Sequence, residues 1–173
     1  EVCHALGLIV ADEQSDIGFE EKYDFFQRAS HCFGQSALMM SASGSLFFYH
    51  LGVARALLNA GLLPSILSGS SGGSIAGSIV CTHRDDELME MLTPDYFIEL
   101  FDVSADKGKV DRGEQLRESL HKLVPDLTFQ QAFEKTGRQM NISIAPAEKH
   151  QSSRLMNSMT SPAVLMHSAI RAS

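Results

Sequence analysis

No stretch of this sequence approaches the roughly 18 consecutive apolar residues that read as a membrane-spanning helix. Basic clusters are missing too: 14 lysines and arginines against 21 aspartates and glutamates give a net charge of -7. That balance argues against a nucleic-acid partner. Cysteine is scarce, and Cys3, Cys32 and Cys81 are far apart, odd in number and outside any metal-ligand spacing. They read as thiols in a reducing compartment, not as a disulfide framework. There is no internal repeat, low-complexity tract or domain linker. What is left, 173 residues with 44% hydrophobic content, suits one globular domain or part of one. The ends predict a fragment. The chain opens on Glu1, which leaves targeting unreadable. Near the other end, Ser161-Pro162 predicts a helix start with no closing signal before Ser173.

Periodicity and punctuation organise the rest. Residues 1–34 are polar and mixed, with a predicted helix from Glu20 to Cys32 that Gly34 can end. Ser36 to Ser41 (SALMMS) reads as a short buried strand. Phe48 to Ala60 sets Leu51, Ala54, Leu57 and Leu58 on one helical face, and Gly61 follows as a stop. Ile66 to Gly69 reads as a second strand and Gly72 to Cys81 as a second helix. This alternation is that of a parallel sheet wrapped by helices, an α/β class. Further on, Thr93-Pro94-Asp95 and the capping box Thr128-Phe129-Gln130-Gln131 predict helix starts. Asn141 to Ala145 predicts a third strand by its alternation, and 147–160 predicts a loop.

Between the second strand and its helix lies Gly69-Ser70-Ser71-Gly72-Gly73, a match to G-x-S-x-G. In such an elbow the serine occupies a strained turn, and glycines at the outer positions remove side chains that would collide with the flanking strand and helix. The turn also sets the serine at a helix N-terminus, where free N–H groups favour a developing oxyanion, with Gly72 N–H the natural donor. The pentapeptide alone better describes a polar loop or an N-cap serine; its place between strand and helix turns the balance to the nucleophile, Ser71. A phosphate loop is disfavoured, because no Lys-Ser/Thr follows the glycines and no G-x-G-x-x-G surrounds them. Upstream, Ser41-Ala42-Ser43-Gly44-Ser45 follows the first strand and precedes the first long helix. It reads either as an oxyanion loop or as an ordinary strand-to-helix turn.

Taken together, ALMMSASGSLFFYHLGVARALLNAGLLPSILSGSSGGSIAGSIV resembles the start of a patatin-like phospholipase domain, closest to its triacylglycerol-lipase branch. FFQRASHCFGQSALMMS resembles the lead-in to that domain, and NISIAPAEKHQSSRLMNSMTSPAVLMHSAIRAS its later strand, loop and helix, so the likeness runs from about Tyr23 to the end. The resemblance implies a three-layer α/β/α fold with a mainly parallel central sheet, truncated on its C-terminal side. Residues 1–34 would be a helical lead-in and 35–173 the N-terminal portion of the domain. It also implies a Ser–Asp dyad in place of a Ser–His–Asp triad. Ser71 matches the nucleophile, Ser43, Gly44 and Ser45 fall on the oxyanion loop, and Gly72 is the elbow donor between Gly69 and Gly73. Ala42, Ser43 and Phe47 depart from the pattern, standing where glycines are usual. The family's aspartate sits in an Asp-Gly-Gly/Ala motif, and no Asp here precedes Gly or Ala. Asp85, Asp86, Asp95, Asp102, Asp106, Asp111 and Asp126 read as helix starts and solvated surface. The fragment alone is therefore expected to be nearly inactive.

None of the histidines singled out, His50, His83, His121, His150 and His167, has a visible orienting carboxylate in sequence, and each reads as surface or satisfied core. Met156, Met159 and Met166 read as core packing more than as a lipid-facing rim. The expectation is a serine lipid acyl hydrolase acting on triacylglycerol or phospholipid esters through an acyl-serine intermediate. No metal or organic cofactor is implied. Its partners would be the lipid substrate and, transiently, a membrane or lipid-droplet surface, in an intracellular setting. The alternative is a non-catalytic lipid-binding or scaffold protein whose serine turn is only structural.

Overall fold

The computed structural model of the chain describes residues 2–11, 17–100 and 120–173. They fall into two compact units, residues 1–35 and 36–173. The first holds helices α1 (Val2–Ala11) and α2 (Phe19–Phe33). Gly34 ends α2, as its place in the sequence suggests, and no residue of α2 is buried.

In the second unit, β1 (Ala37–Met40), β2 (Ile66–Gly69), β3 (Gln139–Ile144) and β4 (Arg154–Met156) form one sheet in that spatial order. The pairs β1–β2 and β2–β3 are parallel, in the registers Ala37↔Ile66 and Ile66↔Gln139. Between β1 and β2 runs α3 (Phe47–Asn59), entered through a 3-10 turn at Gly44–Leu46. After β2 come α4 (Gly72–Thr82), α5 (Asp85–Met91) and α6 (Pro94–Leu100). Residues 120–123 are helical, and α7 (Phe129–Thr136) leads into β3. The last helix, α8, is Met166–Ala172. A mostly parallel sheet with helical crossovers is an α/β fold, consistent with the expected three-layer α/β/α arrangement.

Helix α4 anchors the core. Apart from Ile75, every residue from Gly72 to Thr82 is buried, and the helix packs on β1, β2 and β3. Small residues make that approach possible. The helix ends under Arg138, whose guanidinium donates to Val80 O at 3.3 Å and His83 O at 3.1 Å and pairs with Asp85. Burial of Leu67, Ile79, Leu88, Leu123, Ile142 and Met166 supplies most of the driving force, as apolar area leaving water.

Three expectations need correction. The third strand forms as expected but with shifted bounds: β3 is Gln139–Ile144, and Met140, Asn141 and Ile142 are all buried between β2 and β4. Asn141 tolerates burial because its amide donates to Leu67 O at 3.1 Å and accepts from Asn157 at 2.8 Å. Within the predicted loop 147–160, residues Arg154–Met156 add an antiparallel edge strand. The last helix begins at Met166, not at Ser161, because the Ser161 to Leu165 backbone serves α7 instead. There Pro162 O and Val164 O accept from Gln130 N and Phe129 N, both at 3.1 Å, satisfying first-turn donors of α7.

Candidate active site

Ser71 lies between the last residue of β2, two positions before it, and α4, which starts at Gly72. Its dihedrals are φ 50° and ψ -119°, and it is the only non-glycine residue with positive φ among those described. For a side chain with a Cβ this is a strained conformation, which persists only where the surroundings enforce it. The surroundings are visible. A Cβ on Gly69 would lie 2.3 Å from Gly73 O, and one on Gly73 would lie 2.3 Å from Met40 O. Glycine at both outer positions is therefore a steric requirement of the turn.

The carbonyl of Ser71 accepts from Ser74 N at 2.9 Å, Ile75 N at 3.2 Å and the Ser74 hydroxyl at 2.6 Å. Its own N–H donates to the Ser173 hydroxyl at 2.9 Å. The Ser71 hydroxyl makes no hydrogen bond to a described residue, and Ser71 is partly exposed. Gly72 N–H, in the first turn of α4, likewise has no acceptor among the described residues, as an oxyanion donor requires.

The upstream loop meets the elbow. A Cβ on Gly72 would lie 2.5 Å from Ser43 Oγ and 3.0 Å from Gly44 N, so the predicted loop and elbow donor are in direct contact. Gly44 has φ +51°, which glycine adopts without strain. Ser45 lies in the 3-10 turn beside it. Of the departures from the family pattern, Phe47 is absorbed by the core at 3% exposure, and Ser43 stands at φ -138°. Ser43 Oγ is buried without a hydrogen-bond partner among the described residues.

The histidines divide clearly. His50 Nε2 donates to Ser41 O at 3.0 Å and so braces the loop between β1 and α3. His83 caps the far end of α4, roughly 16 Å along an 11-residue helix from Ser71, out of reach as its base. Burial holds the His83 imidazole below its usual pKa. His121 and His167 stack with ring centroids 4.1 Å apart, and Asp126 lies 3.7 and 3.6 Å from their nitrogens. Sequence spacing gave no hint of that carboxylate. The three groups meet within 4.8 Å. The rings are only 27° from parallel, and His167 Nε2 already contacts Val124 O. Asp85, Asp86 and Asp95 stand in the first turns of α5 and α6, as expected of helix starts. Asp102, Asp106 and Asp111 lie outside the described residues. Met166 is fully buried and Met156 packs on the core, whereas Met159 is 77% exposed.

Ser173, Ser143 and Ser74 are the site residues that the sequence did not reveal. Ser173 reaches Ser71 across 102 residues, and no local signal encodes such a contact.

Comparison with known proteins matches residues 38–173 to the patatin-like phospholipase family model. A patatin-like phospholipase domain-containing protein of Cryptococcus neoformans is 37% identical over 170 residues, covering 92% of this chain and 20% of its own length. One from Yarrowia lipolytica is 36% identical over 172 residues, with coverage of 93% and 21%. Triacylglycerol lipase ptl2 of Schizosaccharomyces pombe is 35% identical over 165 residues, with coverage of 89% and 26%. The chain thus spans about a fifth to a quarter of the length of these relatives. No solved structure matches it. With its match extending over residues 38–173, the chain belongs to the patatin-like phospholipase family.

Proposed function

We propose that this chain carries the nucleophile and oxyanion side of a serine lipid acyl hydrolase. The observation that carries the reading is Ser71, held at φ 50° between β2 and α4 with its hydroxyl unengaged. In the proposed reaction Ser71 Oγ attacks the ester carbonyl carbon while a base takes the hydroxyl proton. The tetrahedral oxyanion is met by Gly72 N–H and the Ser43–Ser45 loop. Collapse breaks the ester C–O bond and returns the proton to the leaving alcohol, and water then releases the acyl group from Ser71. The base we propose is an aspartate in a Ser–Asp dyad, not among the residues of this chain, so the chain alone should turn over little substrate.

The family and the lipase among its relatives support acyl esters of neutral lipids or phospholipids as substrate. Contact with a lipid surface is supported by the apolar rim after the oxyanion loop. Leu46, Tyr49 and Val53 are each at least half exposed, and α3 bears a shallow groove of about 460 Å³ lined by Phe48, Tyr49, Gly52, Val53 and Ala56.

In the intact protein, a fluorophosphonate probe is expected to label Ser71 covalently, and Ser71→Ala to abolish the label. Equal labelling of that variant rejects Ser71 as the nucleophile. Lipid binding without labelling would favour a scaffold. Changing His50 or His83 is expected to leave acyl transfer in place, which separates a dyad from a Ser–His–Asp triad.

A further inference from the structure

The geometry points to Ser173 as a positioning residue that locks the strained serine turn, an inference that rests on the reading of Ser71 as nucleophile. The backbone conformation of Ser71 is defined by two peptide planes, one on each side of its Cα. The plane after it is fixed by its carbonyl, which accepts from Ser74 and Ile75 of the following helix. The plane before it carries the Ser70 carbonyl, which accepts from Gly73 N at 2.9 Å, and the Ser71 N–H, which no element contiguous with the turn holds. The Ser173 hydroxyl does: it accepts from Ser71 N–H at 2.9 Å and donates to Ser143 O at 2.8 Å.

This hydroxyl uses both of its capabilities at once, joining the turn, the C-terminal half of β3 and the end of α8 through one atom. A residue without a hydroxyl would leave the Ser71 N–H without its partner in a partly buried place and the plane held by the Gly73–Ser70 bond alone, which lowers the cost of rotating the peptide. Rotation of that plane changes φ of Ser71, the dihedral under strain, and with it the direction of Cβ and Oγ. Ser173 acts on the reaction through Ser71 and has no contact with substrate in this role.

The test compares Ser173→Thr with Ser173→Val in the intact protein, a pair alike in shape that differs in the hydroxyl. Ser173→Ala repeats it without added bulk. Hydrogen exchange at the Ser71 amide is expected to speed up by about tenfold in the Val and Ala variants and to stay near wild type in Thr. The rate of fluorophosphonate labelling, and kcat on p-nitrophenyl butyrate, should fall by about tenfold in Val and Ala, with KM little changed and Thr restoring activity. Equal amide exchange in Thr and Val overturns the clamp. Faster exchange with unchanged labelling overturns its positioning role. Labelling that survives Ser71→Ala overturns the nucleophile, and the positioning role with it, while the exchange result still reports on the clamp alone.

Discussion

Gly73 and Gly77 are one turn apart in α4 and both buried, yet a methyl group at each meets different matter. At Gly73 it would lie 2.3 Å from Met40 O and 2.7 Å from Met40 C, backbone of a paired strand that cannot yield. Gly73→Ala is therefore expected to cost about 3 kcal/mol or more in urea unfolding, along with loss of labelling at Ser71. At Gly77 the contacts are Met140 Cε and Sδ at 2.6 and 2.7 Å, the far end of a flexible side chain. Better helix propensity offsets much of that crowding, so Gly77→Ala should stay within about 1 kcal/mol of wild type. Equal costs at the two positions would contradict the elbow geometry. Cysteine gives a second test at this scale. Cys3 and Cys32 are exposed, whereas Cys81 is fully buried and its thiol is pushed up to about 12 by that burial. Titration with a thiol reagent at pH 8 should count two fast thiols in the native state, and a third only on unfolding.

Among the elements, α7 shows a local signal that survived folding intact. Thr128 Oγ1 accepts from Gln131 N at 3.2 Å while Gln131 Oε1 accepts from Thr128 N at 3.0 Å, the reciprocal pair that Thr128-x-x-Gln131 predicts. Thr128→Ala should lower unfolding free energy by about 1 kcal/mol, and a change below the error of a denaturant titration would refute that cap. The strands β1 and β2, helices α3 and α4, and the elbow with its loop were legible for the same reason. Each is encoded within about ten residues by apolar spacing, and the elbow also by glycines at 69 and 73 whose replacement is sterically forbidden. Other features were decided at a distance. Ser161-Pro162 has the grammar of a helix start, but the Pro162 and Val164 carbonyls are taken by Gln130 N and Phe129 N. Residues 154–156 are too short to declare a strand without β3 beside them, and β3 begins two residues before the alternation that announces it, in a stretch buried in a row from Met140 to Ile142. The elbow's clamp at Ser173 and the meeting of Asp126 with His121 and His167 share that non-local origin.

At the scale of the whole molecule, acid should weaken the fold in two windows. His83 is held below its ordinary 6.5, mainly by burial. The unfolded chain therefore takes up that proton first, so stability is undiminished above about pH 6.5 and declines as pH falls below it. Glu87 is also held below its ordinary 4.5, first by Arg84 N–H and then by Lys135, so its contribution is present above that value and is lost on further acidification. Unfolding free energy measured from pH 8 to 4 should show the upper decline, and His83→Gln should flatten it. An unchanged slope in that variant would assign the decline to other groups.

The parallel pairing of β2 with β3 also has a consequence in time. The partner of Ile66 is Gln139, so the strand feeding the Ser71 turn is synthesised roughly seventy residues before its neighbour exists. At about 5–20 residues per second, a ribosome leaves that edge unpaired for some 4–15 s. Throughout that interval Leu67, wholly buried in the finished fold, has only β1 and the helices already made to cover it. Association with a chaperone should therefore peak on nascent chains that stop between residues 70 and 139, and fall once β3 has emerged.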